Sequence, residues 1–385
     1  MNAHPIGAAK WVDEQIEYVR AQKAIDGPKR VLVIGGSSGY GLSSRVVSGF
    51  AAGAGSINVA FEREPSEKRT GTAGWYTSVH LDRRLSEAGL PAITIMGDAF
   101  SREVKQQTIE EIRRTFGTVD LVVYSLVSPV RTDPDSGVTY RSALKPIGRE
   151  YSERNLDPIK GELNQVSVSP ATEEEIEGTV KVMGGEDWAL WIDALREANV
   201  LDHGVRTVAY SYIGPDLTYP LYRNGTIGRA KDHLEATASE ITETLGMLGG
   251  QAFVSVNKAV VTRSSAVIPV VALYLTVLFR VMKEKGIHED CTQQIYRLFA
   301  ERLYRGDGTV PTDEYGRIRM DDWEFRDDVQ AEVQRLWNEV SEENLEEVTD
   351  LAGYRHDFLA IHGFDLPDVD YEADVAPDAV AAPDV

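Results

Sequence analysis

The chain has 385 residues, 42% of them hydrophobic, and a formal net charge of -21. That length and apolar content suit one large α/β domain and exclude global disorder, and so acidic a chain argues against a nucleic-acid partner, whose phosphates demand clustered cations. A single cysteine, Cys291, excludes an intrachain disulfide and fits a reducing cytosol.

No apolar run reaches the ~20 residues that span a bilayer. Ile268 to Met282 contains Pro269 and Arg280, and Met1 to Lys10 lacks the pattern of a secretion signal. A cytoplasmic protein without membrane insertion is therefore expected.

Asp13 to Ala24 has the periodicity of an amphipathic helix, and Gly27-Pro28 ends it. Arg30 to Ile34 reads as a short buried strand running into a glycine turn, followed by a helix over Leu42 to Ala52. Ile57 to Phe61, Ala92 to Met96 and Leu121 to Leu126 read as further strands, with a helix over Arg102 to Phe116. Strands continuous in Val, Ile and Leu that alternate with helices predict a doubly wound parallel sheet of Rossmann type, covered on both faces.

From about 129 to 206 the rhythm breaks. Prolines recur, Asp135-Ser136-Gly137 predicts a hairpin, and helices are expected over Thr172 to Met183 and Asp187 to Ala198. An insertion this long suits a lid or substrate-binding elaboration. Strands resume at Thr207 to Ser211 and Ala252 to Val256, and the apolar helix from Ile268 is either an acyl-pocket wall or a plain core helix. Residues 1–370 are expected to form one domain, and the Ala/Asp/Pro tail of 371–385 to be disordered.

Three groups of residues carry chemistry. Gly35, Gly39 and Gly41, within Gly35-Gly36-Ser37-Ser38-Gly39-Tyr40-Gly41, form a variant of the dinucleotide fingerprint. Glycine there lets the backbone approach a pyrophosphate while the next helix offers its amides. Glu62 ends the second strand, where an acid accepts the adenosine ribose hydroxyls and repels a 2′-phosphate; NADH is thus favoured over NADPH. Asp98 ends the third strand, either contacting adenine or opening the helix that follows.

The same turn also spells G-x-S-x-G, the nucleophile elbow of α/β-hydrolases, with Ser37 as the nucleophile. It sits on the first strand, however, and no histidine stands in a context that marks a triad. A third reading is a dinucleotide-binding module without turnover.

Tyr222 and Lys231 form the remaining pair. A phenol can donate to a polarised carbonyl while an ammonium lowers its pKa and holds the ribose. Nine positions of unbroken helix would place the two on opposite faces. Cooperation requires a helix starting between them, with Asn224-Gly225-Thr226 as the break and Thr226 as N-cap. Tyr212, just after a strand, also has the placement to face the cleft. His288-Glu289-Asp290-Cys291 suits a helix start better than a metal site, so no metal is expected.

With these residues in place, the chain closely resembles the FabV-type trans-2-enoyl-ACP and trans-2-enoyl-CoA reductases, a divergent branch of the short-chain dehydrogenase superfamily. The resemblance runs from about Val31 to Tyr371, through GYGL at 39–42, FERE at 61–64, GTAGWY at 71–76, MGDAF at 96–100 and DLVVYSL at 120–126. It continues through MGGEDW at 183–188, KAVVT at 258–262, VMKEKG at 281–286 and LAGYRHDF at 351–358. Tyr222 and Lys231 match the family's Tyr-x8-Lys pair.

The resemblance implies that Tyr222 is the proton donor, that Lys231 binds the cofactor and that Tyr212 contacts the substrate thioester. It implies cofactor contacts at Gly35, Gly36, Ser37, Ser38, Gly39, Tyr40, Phe61, Glu62, Asp98, Ala99, Leu126, Val127, Val260, Val261 and Thr262. The implied reaction is NADH-dependent reduction of an enoyl-CoA or enoyl-acyl-carrier-protein in fatty acid synthesis, by a monomer. Arg223, Arg229, Val127 and Val130 depart from the family pattern near the cleft. Arg131, Lys145, Arg149, Arg154 and Lys160 are the cations available to meet an acidic carrier.

Overall fold

The computed structural model describes residues 3–263, 265, 268 and 270–380. Its first helix, α1 (Pro5–Arg20), begins earlier than the periodicity predicts, because Pro5 opens it and the His4 ring accepts the Gly7 amide at 3.0 Å. There follow β1 (Arg30–Ile34), α2 (Gly39–Ala52), β2 (Gly55–Ala60), α3 (Ala73–Glu87), β3 (Ala92–Met96), α4 (Arg102–Thr115) and β4 (Val119–Tyr124). Helix α3 was not foreseen: its start at Gly71-Thr72-Ala73-Gly74 carries two glycines, which weaken a helical pattern.

The insertion contains two antiparallel hairpins, β5 (Val130–Thr132) with β6 (Thr139–Arg141), and β7 (Tyr151–Asp157) with β8 (Glu162–Val168). The first turns at the predicted Asp135-Ser136-Gly137. The second is unpredicted, since polar residues dominate its strands and only Asp157-Pro158 and Gly161 mark the turn. Helices α5 (Glu173–Met183) and α6 (Glu186–Glu197) lead into β9 (Leu201–Ser211), so the long strand starts within the region assigned to the insertion.

The remainder comprises α7 (Thr226–Thr244), β10 (Gln251–Val256), α8 (Val271–Glu284), α9 (Cys291–Leu298), β11 (Ile318–Arg319), α10 (Asp327–Glu339), α11 (Leu345–Val348) and α12 (Leu351–Ala360). Seven strands form one parallel sheet in the order β11-β10-β9-β4-β1-β2-β3. Strand β1 alternates its side chains between two cores. Leu32 and Ile34 join Trp188, Trp191 and Leu234 on one face, while Val31 and Val33 join Val46, Val47 and Leu298 on the other.

The chain order reverses at β1, which pairs with β2 on one side and β4 on the other. The crevice beyond the carboxyl ends of these strands is where ligands of open α/β sheets bind. A third core gathers α8, α10 and α12 behind Leu221 and Tyr222. Helix α8 is buried on nearly every side, as a core helix is.

The tail expected to be disordered is placed as far as Val380. Tyr76 donates to the Pro377 carbonyl at 2.6 Å, and Val380 packs with Trp75 and Tyr76. Residues 381–385 lie outside the described residues. No helix among the described residues is long and apolar enough to cross a membrane.

Candidate active site

The glycine turn joins β1 to α2 at the reversal point. Gly35 has φ +93°, a conformation L side chains rarely adopt, and a methyl group there would lie 2.3 Å from the Ser125 carbonyl oxygen. At Gly41 a methyl would lie 2.1 Å from the Gly35 carbonyl oxygen, so glycine lets the first turn of α2 lie directly on the loop. The outer face of the turn is open: at Gly39 an added methyl would meet only Thr262, at 3.6 Å.

Glu62 comes to the same place. Its Oε1 accepts the Ser37 hydroxyl at 2.8 Å and pairs with Arg263 at 2.7 Å. Its Oε2 is buried with no protein partner among the described residues. A buried, unpartnered carboxylate oxygen beside a glycine cradle at a helix N-terminus fits the ribose and pyrophosphate of a dinucleotide. Gly74, unmarked by the sequence reading, makes room: a methyl there would lie 2.1 Å from Glu62 Oε1. The hydroxyl of Ser37 donates to an acid and has no histidine base, which removes the hydrolase reading.

The other expected cofactor positions surround this crevice unequally. Phe61 is 82% exposed and Val127 63% exposed, each just past a strand end. The Leu126 side chain lies against Gly35, and Val260 and Val261 are buried beneath Thr262. Asp98 turns its carboxylate to the Phe100 amide at 3.0 Å, while Ser101 caps α4. The Ala99 carbonyl points inward, to Lys105 and Trp191. Tyr40 uses its phenol structurally, donating to the Lys258 carbonyl at 2.7 Å and accepting from Gln294.

Tyr222 and Lys231 converge on the carboxyl end of β9. The Tyr222 ring meets the Tyr212 ring edge-on, with centroids 5.0 Å apart, and the Lys231 ammonium donates to the Tyr210 carbonyl at 3.3 Å. The helix does begin between them, but Gly225 is the N-cap and Thr226 is not. The Thr226 hydroxyl reaches out to the Ala143 carbonyl and its amide to the Lys145 carbonyl, tying α7 to the insertion instead. Gly228 completes the arrangement: a methyl there would lie 2.5 Å from the Tyr222 carbonyl oxygen, so only glycine lets the Tyr222 loop rest on α7.

Burial and the Glu324 charge push the Tyr222 phenol well above the ordinary tyrosine range. The pairing with Lys231 had suggested the opposite. Desolvation governs both groups, and it pushes Lys231 down to about 8. A phenol held protonated at the end of β9, where a lysine stays largely charged at neutral pH, can donate a hydrogen bond, then a proton, to developing negative charge.

Of the five cations expected to meet a carrier, three are occupied elsewhere. Arg131 is fully buried, bonded to the Lys181 carbonyl and to Glu186 at 2.5 Å. Arg154 holds the Trp337 and Val340 carbonyls. Lys145 pairs with Glu175 at 2.6 Å, and exposed Lys160 lies near Asp157 and Glu162. Arg149 is exposed and lines a surface cavity of about 360 Å³ with Pro146, Glu150, Tyr151, Pro220 and Asn224. Arg223, which departs from the family pattern, is spent on Asp232 at 2.9 Å. His288 packs on Phe279 and Asp290 caps α9, so that cluster builds a helix start.

The chain matches the family model of the trans-2-enoyl-CoA reductase catalytic region over residues 69–304. It matches the NAD(P)H binding domain of trans-2-enoyl-CoA reductase over 1–67 and the enoyl reductase FAD binding domain over 312–375. It is 56% identical to an enoyl-[acyl-carrier-protein] reductase [NADH] of Flavobacterium johnsoniae, covering 97% of this chain and 94% of the relative. It is 54% identical to a trans-2-enoyl-CoA reductase [NADH] of Treponema denticola, covering 97% and 96%. The crystal structure of the Treponema denticola enzyme in complex with NAD superposes with a TM-score of 0.94 at 54% identity, over 98% of this chain and 95% of that one.

The flavin implied by one of these descriptions does not fit the residues present. Glycines 316, 353 and 363 stand far apart and form no phosphate turn. The buried faces of α10 and α12 are filled by Val329, Val333, Trp337, Leu351 and Tyr354 packed with α8. The glycine cradle, the unpartnered Glu62 oxygen and the Tyr-x8-Lys pair, with identity above half across nearly the whole chain, establish that this protein belongs to the trans-2-enoyl-CoA reductase family.

Proposed function

We propose that this protein reduces the 2,3-double bond of trans-2-enoyl thioesters with NADH, giving saturated acyl thioesters in fatty acid synthesis. The observation that carries the reading is the convergence of Tyr222, Lys231 and Tyr212 on the end of β9, in the same sheet whose β1 turn forms the dinucleotide cradle. When bound, NADH supplies the hydride that adds to the β-carbon. The chain's own residues do the rest. The glycine turn from Gly35 to Gly41 takes the pyrophosphate on its open face, and Glu62 Oε2 accepts a ribose hydroxyl. Phe61, Asp98, Leu126, Val127 and the Val260-Val261-Thr262 loop border the nucleotide.

Lys231 holds the nicotinamide ribose. As charge develops on the thioester oxygen, the Tyr222 hydroxyl donates to it, and protonation at the α-carbon completes the reduction. Arg149, exposed on the cavity next to Pro220 and Asn224, meets the anionic carrier, whether CoA or acyl carrier protein. The reading includes one Rossmann-type domain, acting as a cytoplasmic monomer; light scattering on the eluting protein checks that state. Loss of NADH absorbance with crotonyl-CoA tests the function, with NADPH for comparison. Faster turnover with NADH is expected. Inactivity on both crotonyl-CoA and a longer enoyl-acyl-carrier-protein would leave only the binding-module reading.

A further inference from the structure

Glu324 lies between β11 and α10, far along the chain from Tyr222, and is 0% exposed. A buried carboxyl group needs partners, and this one has three. Its Oε2 accepts the Ala259 amide at 2.7 Å, and its Oε1 contacts the hydroxyls of Tyr274 at 2.7 Å and Tyr212 at 3.1 Å. The Tyr274 oxygen itself accepts from Gln330 Nε2 at 3.3 Å, so its own hydrogen goes to Glu324. Burial holds Glu324 above the usual glutamate range, with Asp321 adding to it; the Ala259 amide, the Tyr274 hydroxyl and the Lys258 charge offset only part of that. A carboxylate ringed by donors leaves Tyr212 one role, giving its single hydrogen inward.

We propose that Glu324 is a positioning residue of the reductase site: it holds the Tyr212 hydroxyl as a donor toward the protein interior, so that Tyr212 aligns the Tyr222 ring and Tyr222 alone donates to the thioester oxygen. This rests on the assignment of Tyr222 as the proton donor. The same carboxylate fixes Ala259, which leads directly into Val260-Val261-Thr262. One side chain from the C-terminal segment therefore sets both the substrate-side tyrosine and the root of the loop that borders the nucleotide.

Two variants test this against Tyr222→Phe, which removes the acid and lowers kcat by about a hundredfold or more. Tyr212→Phe deletes a hydrogen that never reaches the substrate, so kcat falls by less than about tenfold, below that floor. In Glu324→Gln the amide oxygen faces Ala259 and the NH2 group donates to Tyr212, turning its hydrogen away from the interior. The double variant Glu324→Gln/Tyr222→Phe then recovers about tenfold over Tyr222→Phe, a coupling of ordinary size, and adding Tyr212→Phe abolishes the recovery. Melting temperature and NADH binding show that each variant is folded. If Glu324→Gln does not fold, Tyr212→Phe decides alone. A hundredfold loss of kcat in Tyr212→Phe overturns the inference, as does a Tyr222→Phe defect untouched by Glu324→Gln. A Tyr222→Phe protein with full kcat instead removes the donor assignment on which it rests.

Discussion

The two halves of this molecule were built by different kinds of information. From β1 to β4 nearly every structural cue is local: a run of Val, Leu and Ile makes each strand, a glycine makes each tight turn, and an acid just past a strand end leaves a buried oxygen beside the turn unpartnered among the described residues. Around Tyr222 the structure depends on distant partners. Thr226 reaches Ala143, Tyr212 reaches Glu324, Arg154 reaches Trp337, and β7 pairs only with β8. A nucleotide cradle can be specified by a few adjacent residues because backbone geometry does the recognition. A substrate site that must position a phenol is assembled from the insertion, the sheet end and the C-terminal segment together.

The largest predicted effect breaks the substrate half at a point that looks like surface charge in sequence. Arg131→Ala removes a buried guanidinium and its bonds to the Lys181 carbonyl and Glu186, which keeps Lys181 as a partner, costing about 2 kcal/mol of stability in chemical denaturation. The KM for enoyl-CoA should hold; a raised KM with unchanged stability would return Arg131 to the carrier-binding role. In the nucleotide half, Gly41→Ala places a methyl 2.1 Å from the Gly35 carbonyl oxygen. The loop must shift, and NADH affinity measured by fluorescence titration should weaken by about tenfold to a hundredfold. Unchanged affinity would show that the turn does not carry the pyrophosphate.

The lysine next to the substrate site gives a pH signature. Lys231 loses its charge as pH rises through about 8, whereas an unfolded lysine stays charged to about 10.4. Between those values the unfolded chain binds more protons, so the Lys231 contribution makes folding stability rise while kcat/KM falls. Lys258, also pushed down to about 8 by burial, adds to stability in the same direction. A rate flat from pH 7 to 9.5 would contradict the role given to the Lys231 charge.

Smaller effects sharpen the division. Glu62→Gln keeps the shape of the ribose site and loses its charge, so the KM for NADH should rise about tenfold while that for NADPH falls. Parallel changes for both cofactors would argue against ribose recognition at Glu62. Arg149→Ala should raise the KM for the thioester only about twofold to fivefold, because an exposed charge contributes little, and added salt should erase the difference. An unchanged KM at low salt would remove Arg149 from the carrier path.

How far the sequence could be read follows the same divide. Strands Arg30–Ile34 and Ala92–Met96 were located to the residue, because a short apolar run bounded by Pro and Gly has sharp edges. The early start of α1 carries little signal in the sequence because histidine is an uncommon cap. The helix break between Tyr222 and Lys231 was foreseen from the helical period, yet its cap was misplaced by one residue, since Thr226 spends its hydroxyl on the insertion. Gly74 and Gly228 are small residues whose purpose appears only once Glu62 and the Tyr222 carbonyl lie against them. Glu324 carried no signal in its own neighbourhood: Asp321, Asp322 and Glu324 read as one more acidic stretch in an acidic chain.

The central claim is that the dinucleotide cradle and the proton-donating tyrosine are separable parts of one site. It is tested most directly by measuring the NADH dissociation constant and kcat with crotonyl-CoA for Tyr222→Phe beside the unmodified protein. The account predicts an unchanged dissociation constant with kcat lower by about a hundredfold or more. Full kcat in Tyr222→Phe, or a loss of rate explained entirely by weaker NADH binding, would contradict it.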